Sequence, residues 1–277
     1  LAYSTIRGRA KRKMTPDPKI TDSHCHLDFP DFDADRAAYV ERAVKAGVHR
    51  MVTICTRLKN EPSVRAIAEE FAPVFYAAGT HPMSAAEEPL TSVDALCRIA
   101  QHPKMVGIGE TGLDYHYTAE SRDIQQESLR IHCAAAAEAG LPLIIHARAA
   151  DEDMARILAE EHRNAAFDCV MHCFSSSREL AEAALKLGFY LSMSGIGTFP
   201  KSQEIRDIFA SAPVERVLVE TDAPYLAPPP FRGKQNEPSY VVHTAKVAAE
   251  VFGLSYEDFA LQCEANFERL FTKAVLA

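Results

Sequence analysis

The chain has 277 residues, 47% hydrophobic and 25% charged, with a formal charge of −8 at pH 7. This is the make-up of an ordinary globular protein, long enough for two average domains or for one α/β barrel. No apolar run approaches the ~20 residues that span a bilayer, so no membrane partner is predicted. The seven Cys, odd in number and irregularly spaced, read as reduced thiols in a cytoplasmic protein and not as a disulfide framework.

Residues 1–13 hold five basic residues (Arg7, Arg9, Lys11, Arg12, Lys13) and no acid. They lack the apolar core of a signal peptide. The segment reads as a basic arm, disordered or artificially appended, with natural translation starting at Met14; contact with nucleic acid is the alternative. Taking those five charges from −8 leaves −13. Such a surface repels polyphosphate at long range, so a phosphate substrate needs local compensation, and metal ions are the obvious source.

From residue 20 short β-branched runs alternate with longer helical patterns, and residues 14–277 read as one domain. The predicted strands are Ile20–His26, Arg50–Cys55, Val74–Thr80, Met105–Glu110, Leu143–Arg148, Asp168–Phe174, Phe189–Ile196 and Val217–Asp222. Helical spacing covers Ile124–Ala139 and Arg178–Leu187, the latter stopping at Gly188. Eight strand–helix units of about 30 residues predict an α/β fold, a parallel (β/α)8 barrel, with a doubly wound open sheet as the alternative. The Pro-rich stretch 227–238 is expected to be a loop bordering the active face.

Six residues converge on that face. His24 and His26 lie at the end of the first predicted strand and Glu110 ends the fourth. His146 falls late in the fifth, His172 late in the sixth, and Asp222 ends the eighth. Side chains on a strand alternate faces, so His24 and His26 point the same way and can share a metal. By the same parity Cys25 points away from them, and Cys169 and Cys173 lie opposite His172; these three read as small wall residues. Four His and two carboxylates exceed one ordinary ion. They suit two ions ~3.5–4 Å apart with a carboxylate between them. Imidazole with carboxylate suits Zn²⁺, Mn²⁺ or Fe²⁺, whereas Mg²⁺ prefers oxygen donors.

His81 follows the third strand, and Arg148 shares the inward face of His146. Both suit an anionic substrate oxygen, and Arg can grip phosphate with two hydrogen bonds. Glu220, on the same face as Asp222, is expected to support a ligand. His49, His102, His132, His162 and His243 read as surface or packing residues. His116 follows the Glu110 motif without a clear role. No recognition helix, aromatic stacking platform or zinc-finger spacing is evident, so readout of base sequence is not expected.

Several motifs carry a resemblance. Thr21-Asp22-Ser23-His24-Cys25-His26-Leu27-Asp28, Gly109-Glu110-Thr111-Gly112-Leu113-Asp114-Tyr115 and Leu141-Pro142-Leu143-Ile144-Ile145-His146-Ala147-Arg148 are similar to those of the TatD-type metal-dependent deoxyribonucleases. So are Met171-His172-Cys173-Phe174-Ser175 and Glu220-Thr221-Asp222-Ala223-Pro224-Tyr225-Leu226, followed by Arg232-Gly233 and Asn236-Glu237-Pro238. The resemblance runs in family order from residue 20 to Asn266-Phe267-Glu268-Arg269-Leu270-Phe271.

It implies a TIM-type barrel with two divalent ions, Mg²⁺ or Mn²⁺ in function, with Zn²⁺ compatible. His24, His26 and Asp222 would hold one ion, His146 and His172 the other, and Glu110 would bridge. His81 and Arg148 match positions associated with substrate phosphate. The implied activity is hydrolysis of DNA phosphodiesters, commonly 3′ to 5′, on single strands or chain ends, with no obligate protein partner. Asp222 is the expected base and Glu110 the expected bridge. Ser176, where the family usually has Gly, and Ala149, where an acid often follows the Arg, depart from the pattern and bear on loop shape. Two competing readings are an amidohydrolase or esterase acting on a small molecule, and a non-catalytic nucleic-acid- or metal-binding barrel.

Overall fold

The computed structural model describes residues 18–276. The basic arm 1–13 and the proposed start at Met14 lie outside them. Eight strands are present: β1 Ile20–Cys25, β2 Val48–Cys55, β3 Val74–Ala78, β4 Met105–Asp114, β5 Leu143–Arg148, β6 Cys169–Met171, β7 Tyr190–Met193 and β8 Val217–Val219. They form one sheet in sequence order, each paired parallel to the next. The ring nearly closes through backbone beyond the last strand. Asp222 N–H donates to the His24 carbonyl and His26 N–H to the Ala223 carbonyl, each at 2.9 Å. The predicted barrel is therefore present and the open sheet is not.

The helices between strands are α1 Arg36–Lys45, α2 Glu61–Glu70, α3 Val93–Ile99, α4 Arg122–Ala139, α5 Asp151–Asn164, α6 Arg178–Lys186 and α7 Gln203–Ser211; α8 Val241–Phe252 and α9 Tyr256–Leu270 follow β8. The apolar stripes of these helices cover strands that are apolar on both faces, as a parallel sheet buried on both sides requires. Leu129 of α4 and Met154, Ile157 and Leu158 of α5 belong to one continuous core with Val52, Ile108, Ile144 and Leu218. The stop of α6 before Gly188 is where the spacing places it. Ser177 holds the start of that helix by accepting the Leu180 N–H at 3.3 Å.

The strand limits need correction. Glu110 does not end β4; the strand continues to Asp114. His26 and His172 are each the first residue after a strand, and Asp222 stands three residues beyond β8. β7 stops at Met193 and a short 3-10 turn, Gly195–Thr198, takes the place of its predicted end. The Pro-rich loop is tied down. Asn236, fully buried, donates its side-chain amide to the Thr221 and Tyr225 carbonyls at 2.9 and 2.6 Å.

Candidate metal centre

All six predicted ligands meet at the carboxyl-terminal mouth, around Glu110. Its placement explains the Gly109-Glu110-Thr111-Gly112 pattern. Gly109 and Gly112 adopt φ of +130° and +143°, open to glycine alone among the common residues. A Cβ at Gly112 would overlap the His146 carbonyl, and one at Gly109 would lie 2.5 Å from the Ile144 carbonyl oxygen. The two glycines let β4 press against β5, with a register shift between Ile108 and Thr111. Glu110 is carried on that irregular stretch beside His146.

The carboxylate is 2% exposed and its oxygens address different histidines. Oε2 lies 3.4 Å from His24 Nε2. Oε1 lies 2.7 Å from His172 Nε2, 3.3 Å from His146 Nδ1 and 3.4 Å from His81 Nε2. Asp222 Oδ1 lies 3.3 Å from His26 Nε2 and 3.8 Å from His24 Nε2. Burial opposes ionisation of Glu110, but the adjoining imidazoles, chiefly those of His172, His81 and His146, outweigh it and hold the carboxyl well below its ordinary range. Asp222 is lowered in the same way, burial being overcome chiefly by the neighbouring His26 imidazole.

The outward partners of each ring assign its tautomer. His26 Nδ1 lies 3.4 Å from the Ile54 carbonyl, which can only accept, so Nδ1 carries the proton and Nε2 offers a lone pair. His172 Nδ1 donates to Glu220 Oε1 at 3.1 Å, freeing Nε2. His146 Nε2 donates to Asp114 Oδ2 at 3.0 Å, freeing Nδ1, the atom that faces Glu110. His81 is reversed. Its Nδ1 accepts the Met83 N–H at 3.2 Å, which leaves the proton on Nε2. Burial pulls its pKa down to about 3, so it is a neutral donor aimed at the centre and not a lone-pair ligand.

Potential ligand atoms fall into three overlapping groups: His24, His26 and Glu110; His24, His172 and Asp222; His81, Glu110 and His146. Within these groups both nitrogens of His24, Glu110 Oε2 and His172 Nε2 are buried without a hydrogen-bond partner. Orphaned buried lone pairs of this kind are costly, and divalent ions satisfy them. The donor set therefore fits metal.

Behind the ligands lie carboxylates that sequence reading found only in part. Glu220, expected as a support, takes both the His172 Nδ1–H and, at 2.8 Å, the Cys173 N–H. Asp114 was missed, because the predicted strand stopped at Glu110. Residues 110 and 114 share strand parity, and that was the available signal. Replacing Glu220 by Gln or Asp114 by Asn frees the ring it orients, so metal affinity should fall about 10- to 100-fold. Titration with a fluorescent chelator as competitor measures this; unchanged affinity would contradict the assignment.

Cys173 also departs from expectation. It follows β6 in the left-handed region (φ 43°), where strand parity no longer applies, and it lines the central cavity with Sγ 3.0 Å from Ser194 Oγ. Cys25 and Cys169 are fully buried in the core. His132 proves to be more than packing: it is fully buried and its Nε2 accepts the Thr80 N–H at 3.1 Å, so α4 fixes the segment that carries His81. His49 pairs with Glu264 and His102 with Glu69, while His162 and His243 pack on aromatic rings. His116 is exposed and does not line the cavity.

The cavity above the centre encloses about 720 Å³ and is lined by His26, Glu110, His146, His172 and Asp222 together with His81, Arg148, Tyr117 and Tyr225. Arg148 is exposed at its rim, with the guanidinium 4.8 Å from the centroid of the Tyr117 ring. Over Arg148 and Ser175 the cavity adjoins a second hollow of about 820 Å³, and Ala149 and Ser176 line that hollow, not the metal cavity.

The pH dependence of metal binding follows from the same contacts. Burial disfavours charge on His172 and His146, yet the facing carboxylates raise both pKa values, that of His172 well above its ordinary range. The metal-free site thus holds protons that an ion must displace. Affinity should rise with pH through those raised values. The acid limb of activity should move to lower pH when metal concentration is raised tenfold; a limb insensitive to metal would contradict this.

A parallel (β/α)8 barrel with a buried His and carboxylate cluster at its carboxyl-terminal mouth is the framework of a metal-dependent hydrolase. The sequence model of the TatD related DNase family matches residues 21–272, and the chain belongs to that family. It is 38% identical over 252 residues to the uncharacterized metal-dependent hydrolase YabD of Bacillus subtilis, covering 91% of this chain and 98% of that protein. Identity is 40% over 257 residues to the uncharacterized metal-dependent hydrolase YcfH of Escherichia coli K12, with 91% and 95% covered. The crystal structure of YjjV, a TatD homolog from Escherichia coli K12, superposes with a TM-score of 0.85 at 30% identity, covering 91% of this chain and 98% of that one. No helix among the described residues is long and apolar enough to cross a membrane.

Proposed function

We propose that the chain is a deoxyribonuclease that hydrolyses DNA phosphodiesters from the 3′ end, using two divalent ions bridged by Glu110. The observation that carries this reading is the split address of the Glu110 carboxylate, Oε2 towards His24 and Oε1 towards His146 and His172. In this reading His24, His26 and Asp222 would hold one ion, and His146 and His172 the other. Mg²⁺ or Mn²⁺ serves in function, and the imidazole-rich set also accepts Zn²⁺. When bound, the ions activate water and neutralise charge on the phosphoryl oxygens.

The chain's own groups complete the reaction. Asp222, held ionised and 14% exposed at the cavity, accepts the proton of the attacking water. His81 presents Nε2–H to a phosphoryl oxygen, and Arg148 grips a neighbouring phosphate in the fork geometry that guanidinium allows. These two positive or donating groups offset the chain's overall negative charge at the one place where a polyanion must approach. A bridging carboxylated lysine, the usual device of small-molecule amidohydrolases, has no counterpart among the described residues, where no lysine lines the cavity.

The test is digestion of end-labelled single- and double-stranded DNA and RNA by chelated, metal-reconstituted protein, with an aryl ester and a phosphotriester in parallel. A ladder shortening from the 3′ end of DNA, lost on chelation and blocked by a 3′ cap, is expected. Turnover of the ester or triester alone would overturn the nuclease reading. Binding of DNA without product would favour a non-catalytic barrel.

A further inference from the structure

Two tyrosines stand at the rim of the metal cavity with more than half their surface in water, Tyr117 at 56% and Tyr225 at 55%. Singly exposed aromatics are ordinary on any protein. These two differ because each is fastened to the metal centre. Tyr117 follows β4, and its N–H donates to Asp114 Oδ1 at 2.8 Å; the other oxygen of that carboxylate orients His146. Tyr225 follows β8, and its N–H donates to the carbonyl of Asp222 at 2.9 Å. The Tyr225 carbonyl in turn accepts the buried Asn236 amide, and its ring meets Phe29 edge to face at 6.0 Å, Phe29 itself lying 4.6 Å from the His26 ring.

β4 and β8 are four places apart in a ring of eight strands. The two tyrosines therefore follow strands on opposite sides of the barrel, and both line the cavity above the ligand cluster. Beside Tyr117 the Arg148 guanidinium places a phosphate-binding cation next to a stacking surface. Sequence reading saw no aromatic platform because these residues lie more than a hundred positions apart. The fold assembles one.

We propose that Tyr117 and Tyr225 are stacking subsites for the two unpaired nucleobases that flank the scissile phosphate. The inference rests on the nuclease reading above and narrows it. Every base has a π-face, so such subsites tolerate any sequence. Bases in a duplex are already stacked on their neighbours and paired across, so they reach the two rings only where the strand is single or frayed. The substrate is then a single strand, or an unpaired end, with a base on each side of the bond cut.

The experiment compares a single-stranded oligodeoxynucleotide with a strand of equal length built from abasic residues, using Mn²⁺-loaded wild type, Y117A, Y225A, Y117F and Y225F. Wild type should show a lower KM for the base-bearing strand. Each alanine variant should raise that KM about tenfold and narrow the preference over the abasic strand, while each phenylalanine variant restores it. Equal proportional loss on both strands, or a preference left intact by alanine, would overturn the stacking role. Wild type that cuts both strands with equal KM also overturns it, with the nuclease reading intact. If wild type cuts neither strand yet hydrolyses an aryl ester, the nuclease reading itself fails and the subsites fail with it.

Discussion

Replacing Glu110 by Gln is expected to lower kcat/KM on single-stranded DNA by about a thousandfold or more, a barrier increase of ~4 kcal/mol. The substitution keeps the side-chain volume in a site that is 2% exposed, so the loss reports chemistry and not a cavity. Glu110 offers a lone pair to each of two groups of histidines. An amide puts N–H donors on one of those sides, where a metal ion needs an acceptor. The charge also matters. Glu110 is held ionised against full burial by the surrounding imidazoles, and among the described residues it falls in two of the three groups of potential ligand atoms, beside His24 and His26 and beside His146. A Glu110→Gln protein that regains the wild-type rate after chelation and metal re-addition would contradict the bridging role.

Asp222→Asn should have the second largest effect, a fall in kcat of about 10²- to 10⁴-fold, the usual worth of a positioned base. The residue sits at φ +56°, three positions past β8, with its backbone N–H bonded to the His24 carbonyl. Asn tolerates that conformation about as well as Asp, so the fold should survive the exchange. What disappears, on the proposed reading, is the proton acceptor, together with the carboxylate charge beside His26. The two losses separate on measurement. A ligand defect is repaired by excess metal, whereas the missing base is not. Full rescue of kcat at saturating Mn²⁺ would reduce Asp222 to a ligand.

Much of this centre is legible in the sequence, and the unread part has identifiable causes. Two-residue spacing correctly brings His24 and His26 together, since their ring centroids are 5.0 Å apart. Barrel topology correctly brings the six candidate residues together from β1, β4 and β5 and from the chain just past β1, β6 and β8. Strand ends are read less well, because in a parallel barrel the chain keeps making strand-like backbone bonds after regular pairing stops. Asp222 and His172 lie in such stretches, bonded to the His24 and Ile145 carbonyls. Glu110 lies inside β4 because glycines on either side of it let the strand run on irregularly to Asp114. Cutting the strand at Glu110 is also what hid Asp114.

Residues outside regular elements were the least readable. Parity says nothing of Cys173 once its φ turns positive, and nothing of Tyr117 or Tyr225, which are placed by hydrogen bonds from their backbone N–H groups to the Asp114 carboxylate and the Asp222 main-chain carbonyl. The role of His132 depends on Thr80, a residue 52 positions away whose N–H it accepts. Such a contact leaves no local pattern. The tautomer of His81, which separates it from the ligands, depends on a single amide two residues on.

The proposal of two ions bridged by Glu110 is tested most directly by counting bound Mn²⁺ per chain by equilibrium dialysis at pH 8, in wild type and in Glu110→Gln. Two ions per wild-type chain, falling to one or none in the variant in step with turnover, is the predicted result. A single ion in wild type, or two ions retained by an inactive variant, would contradict a centre bridged by Glu110.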